Sequence, residues 1–126
     1  MQLTLDLLNS SFAVARLPHD SPIPAPLPEA EFFSVTRTSD ELSVITPEGQ
    51  SPVGATVEDG WRALKIAGPL DFSELGILAA LATTLAETQV SIFAVSTYDT
   101  DYVLCKKESL SNAIDALRDA GHTVRV

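Results

Sequence analysis

Hydrophobic and polar positions divide the first half of the chain into short apolar runs separated by turn-forming residues. Alternation over residues 3–8 and 12–17 predicts two strands, with Asn9-Ser10-Ser11 as the turn between them. Apolar runs at residues 32–36 and 41–46 predict a second strand pair. This half of the chain is therefore expected to be rich in hairpins.

Prolines interrupt this pattern between residues 18 and 28. Five of them fall in that stretch: Pro18, Pro22, Pro24, Pro26 and Pro28. A long helix does not tolerate this density, because each proline removes an amide donor and clashes with the preceding turn. We therefore expect an extended or loop connection here.

The second half has a more regular pattern, beginning with a predicted strand at residues 61–67. Asp71 can cap a helix, with Glu74 as its capping-box partner. The helical spacing of four apolar residues then predicts the buried face, formed by Leu75, Leu78, Ala82 and Leu85.

Residues 91–96 are apolar on both faces, which predicts a central strand covered on at least one side. A strand at residues 102–105 follows. Ser109 can cap a helix over residues 110–117, Gly121 lies at the expected C′ position, and residues 123–126 form the last predicted strand.

The element order from residue 61 onward indicates the fold class. Strand, helix, strand, strand, helix, strand is the ferredoxin-like βαββαβ order, an α+β fold with an antiparallel sheet and two helices on one face. The first half lacks room for two full helices, so we interpret it as a truncated copy of the same plan. The predicted domains are residues 1–60 and 61–126.

An internal similarity supports this duplication. Residues 35–42 align with residues 96–103 without a gap. The alignment pairs Thr36 with Thr97, Ser39 with Thr100, and Asp40 with Asp101. Because both segments lie at a predicted strand–turn–strand, duplication is the better explanation.

Charge and cysteine content narrow the function classes. With 8 basic and 17 acidic residues, the net charge is −9, which disfavours nucleic-acid and membrane partners through electrostatic repulsion. The start of the chain shows no secretory signal, and the single Cys105 cannot form an internal disulfide. We expect a buried thiol and a cytoplasmic protein.

Two segments resemble a known family. Asp71-Phe72-Ser73-Glu74-Leu75-Gly76-Ile77-Leu78 resembles the helix-start motif of ACT domains, in which an acidic residue and a glycine precede an apolar helix. Ser96-Thr97-Tyr98-Asp99-Thr100-Asp101 and the following strand resemble small tandem ACT proteins related to the CASTOR-type amino-acid sensors. The resemblance implies an ACT domain at residues 61–126, preceded by a truncated ACT-like repeat at residues 1–60.

The resemblance also implies a ligand, a free amino acid bound where two ACT-like halves or two subunits of a homo-oligomer meet. Unpaired amides at the first helical turn suit its carboxylate, and Asp101 suits its cationic group. Thr97 and Tyr98 can complete the pocket with a hydroxyl and an aromatic wall. The predicted ligand-binding residues are Asp71, Leu75, Gly76, Ile77, Thr97, Tyr98 and Asp101.

Other interpretations of these residues stay open. Asp99, Thr100 and Asp101 are also good turn formers, and Gly76 can serve helix packing alone. A ligand-free assembly module is the main alternative function. We expect no enzyme activity, catalytic residue, metal or cofactor, because no catalytic or metal-binding spacing surrounds His19 or His122.

Overall fold

A computed structural model of the protein describes residues 2–68 and 76–126. Within these residues the chain forms strands, two α-helices and one 3-10 turn. They follow the order β1 (Thr4–Leu17), β2 (Ser34–Arg37), β3 (Leu42–Pro47), β4 (Thr56–Ile66), α1 (Ile77–Glu87), β5 (Ile92–Ser96), β6 (Asp101–Lys106), a 3-10 turn (Lys107–Ser109), α2 (Leu110–Asp119) and β7 (Thr123–Arg125). The order β4-α1-β5-β6-α2-β7 confirms the predicted βαββαβ plan.

The chain divides into two compact units, the first comprising Met1–Leu8 and Arg62–Val126. Its strands are ordered β7-β1-β4-β6-β5. Both helices contribute to one apolar core with the strands, and this core includes Leu5, Leu64, Ile66, Leu81, Leu85 and Leu117. Burial of these side chains away from water is the main force that holds the two helices on the sheet.

The first residues of β1 insert into this unit beside β7. The two strands pair in parallel, with Thr4 opposite Thr123 and Asp6 opposite Arg125. A buried histidine also joins the starts of these two strands, because the Leu3 amide donates to Nδ1 of His122 at 3.1 Å. The sequence pattern did not predict this parallel strand in an otherwise antiparallel plan.

The second unit, Asn9–Trp61, is built from hairpins. β3 pairs in antiparallel fashion with both β1 and β2. A small apolar core forms around Ala15, Leu42 and Val44, and the rings of Phe12 and Phe32 meet edge to face at 6.0 Å. Residues 9–61 contain no helix, as expected from their length and proline content.

The predicted turn at Asn9-Ser10-Ser11 is wrong, because β1 runs without a break through these residues. The Glu31 carboxylate accepts the amides of Asn9 and Ser10 at 3.1 and 2.7 Å. The Ser11 carbonyl accepts the Glu48 amide at 3.0 Å. Because these partners satisfy the backbone, the polar residues do not need a turn to meet their hydrogen-bonding needs.

The prediction of a central strand at residues 91–96 is also wrong. In the strand order of its unit, β5 lies at the edge, paired with β6. Its Ile92, Phe93 and Val95 side chains are half-buried, whereas Ala94 is exposed. Apolar residues on both faces therefore do not mark a buried strand here.

The helices differ from their predicted details. Helix α1 begins at Ile77, with Gly76 as its N-terminal cap residue, and it buries Ile77, Leu81 and Leu85. The predicted Asp71–Glu74 capping box lies outside the described residues. Ser109 does occupy the cap position of α2, although its side chain makes no capping hydrogen bond. Gly121 ends α2 with φ +97°, as predicted.

Candidate functional site

The site is built around the tight turn that joins β5 to β6. The Thr97 amide donates to the Thr100 carbonyl at 2.8 Å, and the Thr97 hydroxyl donates to the same oxygen at 3.1 Å. This double contact closes the turn over residues 97–100, directly after the last strand pair, Ser96 with Asp101. Threonine suits this position because its hydroxyl reaches nearby backbone.

Thr100 ties the turn to the neighbouring strand. Its side chain is buried, with 6% of its surface exposed. Its hydroxyl donates to the Ile66 carbonyl at 2.5 Å, at the end of β4. The turn is thereby held at a fixed position beside the residues that follow β4.

A pocket of about 330 Å³ opens between this turn and the end of β4. Its lining residues include one lysine, one aspartate, two threonines and one tyrosine. The lining residues are Lys65, Gly68, Thr97, Asp99, Thr100 and Tyr102. All of them belong to the first unit. Opposite charges on one small pocket suit a zwitterion, which carries both charges itself.

Asp101 has a local partner. The Ser96 hydroxyl donates to its carboxylate across the last β5–β6 pair. Its side chain is half-buried, and Asp101 does not belong to the residues that line the pocket. The role of Asp101 as the ligand for an ammonium group stays a prediction, and the carboxylate that does line the pocket is that of Asp99.

The other predicted site residues fall in different surroundings. Thr97 lines the pocket, whereas Tyr98 extends into solvent with 81% of its surface exposed. Ile77 packs in the core with 5% exposed, so it has only its backbone to offer a ligand. Asp71 and Leu75 lie outside the described residues.

Gly76 is explained by its backbone conformation. Its φ of +80° lies in the left-handed region, which side chains disfavour. A Cβ built at Gly76 meets no atom of the described residues within 4 Å. Close packing against the described residues therefore does not account for the glycine, whereas the left-handed φ before α1 does.

The turn between β2 and β3 has the same backbone hydrogen bond as the turn between β5 and β6, but at a different position relative to the sequence alignment. The Thr38 amide donates to the Glu41 carbonyl at 2.9 Å, as Thr97 does to Thr100. The last β2–β3 pair, Arg37 with Leu42, likewise precedes this turn. In its backbone hydrogen bond Thr38 thus corresponds to Thr97, whereas the sequence alignment pairs Thr36 with Thr97. The duplication itself stays a prediction.

Sequence reasoning did not select Lys65 or Asp99 as binding residues. Lys65 lies within an ordinary half-buried strand, so its spacing carries no signal. In the sequence, Asp99 belongs to the segment that resembles the CASTOR-type sensors and is also a good turn former. One sequence feature could have indicated that Asp99 lines a pocket. It lies two residues after Thr97, at the exposed end of a hairpin.

The single cysteine does not belong to the residues that line the pocket. Cys105 is buried with 2% exposed, and burial raises the pKa of its thiol, an effect partly opposed by Arg62. Within residues 2–68 and 76–126, no group of three or more His, Cys, Asp and Glu residues could hold a metal ion. In the same residues, no helix is long and apolar enough to cross a membrane.

Comparison with solved structures places this arrangement among known folds. A crystal structure of an Agobacterium tumefaciens protein is 36% identical, with a TM-score of 0.90 over 98% of this chain and 92% of that one. The ligand-free regulatory subunit of Thermus thermophilus aspartate kinase is 14% identical, with a TM-score of 0.65 over 93% of this chain and 96% of its own. The second likeness concerns the fold alone.

Curated relatives are named "Cytosolic arginine sensor for mTORC1 subunit 1". The Rattus norvegicus sensor is 41% identical over 59 residues, which is 46% of this chain and 18% of the sensor. The Pongo abelii sensor is 29% identical over 121 residues, 89% of this chain and 37% of the sensor. The chain thus spans well under half the length of these relatives.

Family models match both parts of the chain. One described as an N-terminal domain matches residues 10–53. The model of the ACT domain matches residues 56–119, just over half of the chain. This match includes β4, both helices and the turn that lines the pocket. The chain therefore belongs to the ACT-domain family.

Proposed function

We propose that this protein is a regulatory amino-acid-binding protein and that the amino acid binds in the pocket between Lys65 and Asp99. The pairing of one ammonium and one carboxylate on a single pocket is the observation that carries the proposal. Membership of the ACT-domain family and the similarity to arginine sensors support the class of function. The proposal involves no catalytic step, metal or cofactor.

The chemistry of the pocket suits the common part of every amino acid. The Lys65 ammonium can bind the α-carboxylate, and the Asp99 carboxylate can bind the α-ammonium group. The hydroxyls of Thr97 and Thr100 donate to backbone carbonyls, so their oxygens can accept hydrogen bonds from the ligand. Backbone contacts hold the turn before binding, which lowers the ordering cost.

The helix start remains part of this proposal. Gly68 lines the pocket and precedes residues 69–75 in the chain. Helix α1 begins at Ile77 after its cap residue Gly76, and the backbone amides of a helix start can donate hydrogen bonds to a carboxylate. Asp71 and Leu75 keep their predicted roles as further ligand contacts.

Arginine is the first ligand to test. The relatives with known names are arginine sensors, and the net charge of −9 favours a cationic side chain near this surface. Neither observation excludes another amino acid, so a screen should include all of them.

A thermal-shift screen of the free amino acids tests the proposal. Ligand at about 100 times its Kd adds about 2.7 kcal/mol of stability and raises the melting temperature. Lys65→Met and Asp99→Asn should each weaken the binding of the best ligand by about tenfold or more, because each removes one charge contact. Lys107→Met and Asp119→Asn are matched controls at exposed charges elsewhere. If no amino acid raises the melting temperature at millimolar concentration, the proposed function is wrong.

A second candidate function is a ligand-free assembly module. The edge position of β5 favours it, since Ile92–Ser96 carries no charge and none of its apolar side chains is fully buried. Exposed edges of this kind can pair with a second chain. Light scattering should then show a stable homo-oligomer that Val95→Lys dissociates, with no effect of any amino acid. A monomeric wild-type protein would exclude this function.

A further inference from the structure

The proline-rich segment has a regular conformation set by its sequence. From Ser21 to Pro28 every residue either is a proline or precedes one. Proline fixes φ near −65°, and the residue before a proline is restricted to extended or polyproline II conformations. The sequence of this segment therefore favours the polyproline II conformation, a left-handed helix with three residues per turn.

Side-chain exposure repeats with the same period. The half-buried residues are spaced three apart: Ser21, Pro24 and Leu27. The two residues between each pair are exposed: Pro22 and Ile23, and Ala25 and Pro26. A turn at residues 28 and 29 ends this pattern. One face of a three-fold helix thus lies on the second unit, and its other two faces are open to solvent.

The start of this segment is anchored, and a turn closes its end. The Arg37 guanidinium donates to the His19 carbonyl and, at 2.6 Å, to the Ser21 carbonyl. At the other end the Ala30 amide donates to the Leu27 carbonyl at 3.1 Å and closes a turn. Part of the conformational entropy that a flexible proline-rich peptide loses on binding is therefore already lost in this protein.

We propose that residues 22–27 form an exposed polyproline II helix that docks into an aromatic-lined groove of a partner protein. Ile23 has 57% of its surface exposed and lies one helical turn from Pro26 on the same open face. Apolar side chains spaced three residues apart in this way insert between aromatic side chains in the domains that recognise polyproline II.

The charge around this segment indicates what kind of groove the partner should have. The acidic residues of the segment and its flanks are Asp20, Glu29 and Glu31, all exposed. A groove flanked by lysine or arginine complements them, so binding should weaken as salt increases. A second copy of this chain does not fit, because it too carries a net charge of −9.

Calorimetric titration of the intact protein with purified SH3, WW and EVH1 domains that have basic groove flanks tests this proposal. At least one should bind with a Kd of roughly 1 mM or tighter. The double variant Ile23→Ser/Pro26→Ala should weaken that binding by about tenfold or more, because both side chains lie on the open face. Val53→Ser, at a fully exposed valine outside the segment, is the matched control and should leave binding unchanged.

Two further measurements keep the interpretation clear. Equal melting temperatures for the wild type and both variants show that the fold is intact. In NMR spectra, the bound domain should shift the amide signals of Ile23, Ala25 and Leu27. The proposal is overturned if none of these domains binds at about 1 mM, or if the double variant binds as tightly as the wild type. Amino-acid binding at the Lys65–Asp99 pocket is unaffected by either result.

Discussion

At the scale of single residues, hydrogen bonds to backbone carbonyls decide the form of the site. Thr97 and Thr100 place the β5–β6 turn by donating to the carbonyls of Thr100 and Ile66. Sequence reasoning identified this turn and its polar residues correctly. It could not tell a residue that lines the pocket from one with a local partner, because Asp99 and Asp101 have the same chemistry. Asp99 lines the pocket, whereas Asp101 accepts the Ser96 hydroxyl.

Thr100→Val should lower the free energy of unfolding by about 1–3 kcal/mol, because the Ile66 carbonyl loses its buried donor while the side-chain volume is kept. Urea denaturation measures this loss. Thr36→Val, at an exposed threonine, is the control and should change stability little. An unchanged unfolding midpoint for Thr100→Val would contradict the role assigned to its hydroxyl.

The Asp6–Arg125 ion pair gives a prediction about pH. The Arg125 guanidinium, which donates to Asp6 at 2.5 and 2.8 Å, holds the pKa of that carboxyl below its usual value. A lowered pKa contributes stability that is fully present above the unfolded value of about 3.9 and is lost as the pH falls through the folded value.

Asp6→Asn should therefore lower the free energy of unfolding slightly at pH 7, since the pair is largely exposed, and by less at pH 2–3. Urea unfolding of the wild type and the variant at both pH values measures the difference. A cost that is the same at both pH values would contradict the pair as its source.

At the scale of elements, the sequence predicted which segments are strands and helices better than it predicted their neighbours. Helix α2 and the β2–β3 hairpin lie where the pattern indicates. The errors at Asn9-Ser10-Ser11 and β5 share one cause. Local pattern does not reveal a distant partner such as Glu31. It also does not reveal that, among the described residues, β5 pairs with one strand only.

The start of helix α1 provides a test at this scale. Gly76→Ala should destabilise the protein by about 1–2 kcal/mol, because alanine is strained at a left-handed φ. Gly76→Asn should cost less, since asparagine tolerates this conformation. Thermal denaturation of both variants measures these costs. Equal losses for the two variants would indicate that crowding, and not φ, restricts this position.

At the scale of the whole molecule, the fold class follows from the order of elements, and the ACT-domain family follows from two short motifs and the match over residues 56–119. The grouping of the start of the chain with its second half was not predictable from the sequence. Residues 1–8 belong with residues 62–126 in one unit, and a strand added in parallel at the start of a chain leaves no local pattern.

The central claim is that a free amino acid binds at the Lys65–Asp99 pocket. The most direct test is an NMR titration of the isotope-labelled protein, first with arginine and then with the other amino acids. The proposal predicts saturable shifts concentrated on the amides of Lys65, Gly68 and residues 97–102, and their loss in Asp99→Asn. Saturable shifts confined to other residues, or no shift with any amino acid at millimolar concentration, would contradict it.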